Sequence, residues 1–265
     1  MKALLRHLVS STVAGIAAAS LVLAAVHSQQ AVQSPPPLGP MPYVAIDHPE
    51  FVAPSEADFL LDDDILLGVA TASAAKAYPA ADLFQHGSVD DQMPDGPIEV
   101  TWCSTCNTGV VFRAQIDGRT LHFDYDSMVG ANEVHRDRET GSRWQQSTGE
   151  AISGPFKGRR LELYPFVRTT WKEWRRRYPG TLVLKPLPGY AARMAGVSRR
   201  IKQMKAGGGP APQGAFGGDD RLPPREIVAG LAVGGETGVL IWLDTHDGKQ
   251  TRASPGIAGS RWLDA

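Results

Sequence analysis

Pro97-Ile98-Glu99-Val100-Thr101-Trp102-Cys103-Ser104-Thr105-Cys106-Asn107-Thr108-Gly109-Val110-Val111-Phe112 is the stretch whose reading decides the fold. Ile98, Val100 and Trp102 alternate with Glu99 and Thr101, the period of a strand with one buried face. Val110, Val111 and Phe112 resume β-prone residues after Asn107-Thr108-Gly109, a turn signal. Cys103 and Cys106, the chain's two cysteines, therefore sit at a tight bend between strands. Downstream, Gly109 to Ile116 and Thr120 to Tyr125 flank Asp117-Gly118-Arg119, and an Asp-Gly turn between β-prone runs predicts a hairpin. The bend thus opens an antiparallel meander. In its second arm His122, Asp124 and Asp126 alternate with Phe123 and Tyr125, a half-exposed strand.

The same logic extends to both sides. Asp58 to Val69 reads as an acidic turn entering a buried strand, and Asp62 to Asp64 lack the alternating ligands and closing Glu of a calcium loop. Ala74 to Pro79 reads as a second strand stopped by its proline, and Leu83 to His86 leads into polar Gly87 to Asp95. Asn132 to Trp144 packs charge around a Thr140-Gly141-Ser142 turn, and Gly149 to Gly158 and Leu161 to Tyr164 suggest another turn and strand. Thr169-Thr170 offers a Thr cap for a short helix that carries Trp171, Trp174 and Tyr178 at helical spacing and ends near Pro179-Gly180. Thr181 to Leu184 returns to strand. Arg193, Arg199, Arg200, Lys202 and Lys205 mark a basic, helical segment, followed by a Gly/Pro-rich mobile loop at residues 207–218. Ile65-Leu66-Leu67-Gly68-Val69-Ala70 is echoed by Ile227-Val228-Ala229-Gly230-Leu231-Ala232, a possible internal duplication. The fold class is mainly β or α+β, built of antiparallel hairpins with a short Trp-bearing helix.

Composition limits what this fold can do. With 265 residues, 42% hydrophobic and 21% charged, the chain buries a sizeable core. The net charge of −1, from 27 basic and 28 acidic residues, gives no global field for nucleic acid, and no nucleic-acid motif or phosphate-cradling glycine loop for a nucleotide cofactor is present. Residues 1–28 have the layout of an export signal, with Lys2 and Arg6 before an uncharged run from Leu8 to Val26. Cleavage near Val26-His27-Ser28 and an uncleaved membrane tether through residues 8–26 both fit, because the run is near bilayer-spanning length. Residues 29–50, with Pro35-Pro36-Pro37, read as a stiff tether ahead of a domain at 51–265. This organisation predicts an exported, periplasmic or otherwise extracytoplasmic protein.

Ala75-Lys76-Ala77-Tyr78-Pro79, His86, Val100 to Gly109, Asp137 to Trp144 and Arg221-Leu222-Pro223-Pro224 together resemble a prokaryotic family catalogued as domain of unknown function 3179. The resemblance spans Phe51 to Leu240 and implies an exported or membrane-tethered, largely β domain with no assigned activity. The family pattern has His-Glu before the cysteine strand and Cys-Pro-Leu-Cys-Gly at the bend. Here Gly87 replaces that Glu, and Ser104, Thr105 and Asn107 replace Pro, Leu and Gly. Cys103, Cys106 and His86 match the remaining polar positions.

Three chemistries compete at these residues. Two thiolates at a turn can share one soft ion, copper or zinc, with His86 as third ligand and His135, His122 or Met128 completing the shell. Thiol–disulfide redox work with a thiol-redox partner is the second, since an exported pair meets oxidant. Trp102-Cys103-Ser104-Thr105-Cys106 has the thioredoxin spelling, but a turn and strand follow instead of the helix whose dipole lowers the thiol pKa there. The third is a local structural disulfide in a non-catalytic module that binds an envelope protein partner. A bridge around two residues closes too short a loop to restrain much of the chain, compared with about 3 kcal/mol for a fifteen-residue loop. Glu139, Glu150, Asp124 and Asp137 supply carboxylates but no Ser-His-Asp or paired-acid spacing.

Overall fold

The structure is a computed structural model describing residues 43–129 and 132–205, together with the backbone of 228–233 and 236–241. The expectations for the export signal, for the tether up to residue 42 and for the loop at 207–218 lie outside the described residues. Along the chain run β1 (Phe51–Val52), β2 (Ile65–Ala70), β3 (Ala75–Pro79), α1 (Ala80–His86), β4 (Ser88–Met93), β5 (Gly96–Cys103) and β6 (Thr108–Arg113). They are followed by β7 (Gln115–Ile116), β8 (Arg119–Thr120), β9 (Phe123–Val129), β10 (Asn132–Asp137), β11 (Arg143–Gln145) and β12 (Glu150–Ser153). The last group is β13 (Val167–Thr170), α2 (Trp171–Arg177), β14 (Leu182–Leu184), α3 (Met194–Lys205), β15 (Val228–Val233) and β16 (Glu236–Ile241).

The architecture is mainly β with α elements, and nearly every pairing is antiparallel. β4-β5-β6 form one sheet with the cysteine bend between its last two strands, and β12-β11-β10-β9 form another. A five-stranded sheet, β1-β14-β3-β2-β13, has one parallel pair, β14 with β3, because α2 and its flanking turns carry the chain back over the sheet. β7 and β8 are the expected Asp-Gly hairpin, with Asp117 at φ 50° and Gly118 at φ 77°, the left-handed pair that a two-residue hairpin turn requires. The echoed segments β2 and β15 each open an antiparallel hairpin.

Three local outcomes differ from the sequence reading. α1 stands where only a lead-in segment was expected; all seven of its residues are buried, so no polar face betrays a helical period. β4 occupies the polar stretch after Gly87 and pairs with β5 along its whole length, burying Ser88 and Asp90. Leu161 to Tyr164 contributes a single bridge, Phe112 with Leu163, instead of a strand. Residues 43–50, the end of the Pro-rich stretch, run along the domain: Ile46 bridges Val89, and Lys185 donates its backbone N–H to the Glu50 carbonyl.

One apolar cluster, including Phe112, Leu121, Phe123, Trp144 and Leu161, fills the space around β6 and β9. The helix at Trp171 forms as expected. Thr170 accepts from the Glu173 N–H, Trp171 and Trp174 are buried, and Trp174 Nε1 donates to Thr181 Oγ1 at 2.9 Å. The Trp174 ring lies where a side chain on Gly68 of β2 would stand, so the helix approaches the sheet only because that residue is glycine. Gly68→Ala is expected to cost about 1–3 kcal/mol, the usual penalty for overpacking, read as a lower urea midpoint with unchanged m-value.

Candidate functional site

β5 ends at Cys103, β6 starts at Thr108, and the four residues between them turn through Asn107 at φ 55°. Across this bend Cys103 and Cys106 form a disulfide with Cα atoms 5.5 Å apart. Cys103 is fully buried and Cys106 half-buried. Each sulfur accepts a hydrogen bond: the Cys106 N–H donates to Cys103 Sγ at 3.2 Å, and Asn132 Nδ2 donates to Cys106 Sγ at 3.3 Å. Asn132 also donates to Gln146 Oε1 at 2.9 Å, and Gln146 Nε2 donates to Thr101 Oγ1 and to the Thr108 carbonyl. Polar side chains of β10 and of the turn after β11 therefore hold both arms of the bend.

Behind the bend lies a buried ionic row of which the sequence reading named His135 but missed Glu133 and Glu99. Ser104, inside the bridge, donates its N–H at 2.8 Å and its hydroxyl at 3.1 Å to Glu133 Oε1. Its hydroxyl also lies 2.7 Å from the Tyr43 hydroxyl. The other oxygen of Glu133 faces His135 Nε2 at 3.6 Å, and His135 Nδ1 donates to Glu99 Oε1 at 2.6 Å. Glu133, His135 and Glu99 are 0%, 1% and 2% exposed, so this is a charge row inside the protein. Burial is the strongest single influence on His135 and opposes its charge, but the two carboxylates, led by Glu99, outweigh it and push the pKa up to about 10. His135 is an imidazolium at neutral pH. Asp90, directly across from Glu99 on β4, is pushed up to about 8 by burial and then by the neighbouring Glu99 charge. Its Oδ2 accepts from the Phe123 N–H.

His86 sits apart from this row in its bonding. Its Nδ1 donates to the Val44 carbonyl at 2.8 Å, its Nε2 lies 3.7 Å from Asp82 Oδ1, and the Tyr190 ring packs against it. Burial lowers its pKa, so the neutral ring fits the site. Asp82, buried with it, is pushed up to about 7. His122 is at the surface and bonds Glu139 through Nδ1 at 2.7 Å, and Met128 is exposed. Among the described residues no group of three or more His, Cys, Asp or Glu side chains is arranged to hold a metal ion. A copper or zinc site made of Cys103, Cys106, His86 and His135 would need the bridge reduced to two thiolates, and the Nε2 atom of each imidazole now faces a carboxylate, Asp82 or Glu133. The donor set as it stands therefore does not fit a soft ion.

Gly87, where the family pattern has Glu, is at φ 76°, and a Cβ there would lie 3.7 Å from Glu133 Oε2. A carboxylate thus reaches this neighbourhood from β10. Glu133 and His135 are two apart on that strand, and Glu99 lies between buried neighbours on β5. Glu99 between the apolar Ile98 and Val100, and a Glu and a His two apart on β10, were the available signal.

The fold and site define a mainly β domain with a disulfide-closed bend backed by a buried carboxylate–imidazolium row. The chain belongs to the family described as protein of unknown function (DUF3179), whose sequence profile matches residues 41–243. No curated protein and no solved structure shows significant similarity to it.

Proposed function

We propose that the chain is an exported, non-catalytic interaction module in which the Cys103–Cys106 bridge shapes the bend. The hold on Ser104 carries this reading: both its N–H and its hydroxyl end on the buried Glu133 carboxylate while cysteines on either side close the loop over it. Such a bridge restrains little of the unfolded chain and instead presents one loop shape, which is what a recognition surface needs. Export rests on the layout of Met1 to Val26 and agrees with a compartment where a disulfide persists. An envelope protein is the proposed partner.

A second reading, thiol–disulfide exchange, is favoured by the half-buried Cys106 and by the donors on both sulfurs, which stabilise thiolates. A partner thiolate would attack Cys106 Sγ, break the S–S bond and release Cys103 as a thiolate beneath the Cys106 N–H. A second partner thiol would then displace Cys106, leaving the pair reduced and the partner oxidised.

The midpoint potential of the pair separates the two. The structural reading expects a value below about −300 mV, whereas exchange proteins lie between about −270 and −120 mV, read by thiol alkylation and mass after equilibration in dithiothreitol buffers. A potential in the exchange range would overturn the interaction-module reading. The Cys103→Ser/Cys106→Ser variant should lose only ~2 kcal/mol of stability, the chain-entropy value for so short a loop.

A further inference from the structure

We propose that Arg168 and Trp102 form a binding site for a small oxyanion that presents two oxygens to the guanidinium edge, a carboxylate or a phosphate group. This goes beyond the role of the disulfide and holds whether the bridge is structural or exchangeable. Arg168 lies on β13 directly opposite Leu67 of β2, so the two side chains share a face of the sheet. Leu67 packs on Gly109 beside the Trp102 ring, and the Arg168 guanidinium carbon is 5.4 Å from the centre of that ring.

Three donors of these two side chains have no acceptor among the described residues. Nε and Nη2 of Arg168 are buried, and neither has a hydrogen-bond partner among the described residues. Trp102 is fully buried, and its Nε1 is orphaned in the same way. Two other buried tryptophans and several more exposed arginines are paired. Trp144 and Trp174 donate to Asp137 and Thr181. The more exposed Arg138, Arg143 and Arg159 each have a carboxylate. Among the described residues Arg168 has none within ion-pair distance, although its Nε and Nη2 are buried.

Physical chemistry makes that arrangement costly unless a ligand completes it. Enclosing an unpaired cation costs several kcal/mol, and a guanidinium has no accessible neutral form into which it can escape. Stacking on Trp102 offsets only part of that cost. The two orphaned nitrogens define one edge of the planar fork, the edge that meets a carboxylate or phosphate with two parallel hydrogen bonds. The Trp102 ring is the platform beside that edge, and Arg168 is itself only half-buried. Since Trp102 immediately precedes Cys103, an anion bound here would lie on the strand that leads into the bend.

The test is a titration of the 15N-labelled full chain, following the Trp102 indole N–H, which is assigned by its loss in Trp102→Phe. Sodium acetate and sodium phosphate are added separately, each against sodium chloride at matched ionic strength. We expect a saturable downfield shift with at least one of the two oxyanions and none with chloride. Response to acetate alone identifies a carboxylate, and response to phosphate alone a phosphate group. Arg168→Gln should weaken the response about tenfold or more. Arg168→Lys, which keeps the charge but loses the fork, should weaken it as well, and it serves if the glutamine variant fails to fold. A shift that never saturates, one unchanged in both Arg168 variants, or no response to either oxyanion would overturn the proposal and leave a buried water as the acceptor.

Discussion

His135→Ala is expected to lose about 3–5 kcal/mol of stability, the usual cost of removing one partner from a buried ion cluster. The imidazolium lies between Glu99, 2.6 Å from its Nδ1, and Glu133, 3.6 Å from its Nε2. Its removal leaves two carboxylates facing a cavity, each nearly devoid of solvent. Urea unfolding at pH 7 measures the loss, and Glu99→Gln added to His135→Ala should recover part of it, because one of the stranded charges is then gone. Should the single variant fail to fold, Glu99→Gln/His135→Leu carries the test, with an expected stability nearer the natural chain. The wild-type pH profile supplies a second check. The folded pKa of His135, about 10, is above the unfolded value near 6.5, so the folded state binds the extra proton between them. Its contribution is complete below about pH 6.5 and lost as the pH rises toward 10. A His135→Ala variant within about 0.5 kcal/mol of wild type would show that the row carries no net charge interaction.

The elements legible in the sequence were those with a local signal. β5 alternates apolar and polar residues, although the structure buries both of its faces from Ile98 to Cys103 and not one as the alternation suggests; the Asp-Gly turn of β7 and β8 needs its left-handed pair, and a Thr cap announces α2. α1 was illegible because burial on every side erases the helical period. β4 was illegible for the opposite reason: Asp90 and Ser88 look like solvent-facing residues until β5 and Glu99 are placed beside them. The candidate site divides in the same way. Cys103 and Cys106 could be located at a bend because their spacing is local. The row of Glu99, His135 and Glu133 joins strands more than thirty positions apart, and only the packing of β10 against β5 makes one cluster of them. His86, singled out beside the cysteines, proves to bond the Val44 carbonyl, which a sequence pattern cannot display.

That packing has a consequence for bend and core together. Ser104 hangs from Glu133, Glu133 faces His135, and His135 is bound to Glu99, whose Oε1 also accepts from Ser88. The disulfide loop is therefore coupled, through hydrogen bonds and the 3.6 Å ion-pair contact of Glu133 with His135, to the centre of the β4-β5-β6 sheet. Charge balance at the far end of that chain falls to Asp90.

Asp90→Asn is expected to stabilise the protein at alkaline pH, by ~2 kcal/mol or more at pH 9, while changing little at pH 4. Asp90 is buried opposite Glu99, and burial followed by that charge lifts its pKa from 3.8 to about 8. The folded chain therefore keeps a proton that the unfolded chain releases above about pH 4. With more protons bound in the folded state, stability falls as the pH rises, and the loss is complete above about pH 8. Asparagine cannot ionise, so the fall disappears. Its carbonyl oxygen can take the Phe123 N–H that Asp90 Oδ2 now accepts, and its amide can donate toward Glu99 in place of the orphaned Oδ1. Stability from chemical denaturation at pH 4, 6, 8 and 9 should thus show a shallower slope for the variant. Parallel profiles for Asp90→Asn and wild type would mean that Asp90 is ionised in the folded protein, and that Glu99 and Asp90 share the sheet as two charges.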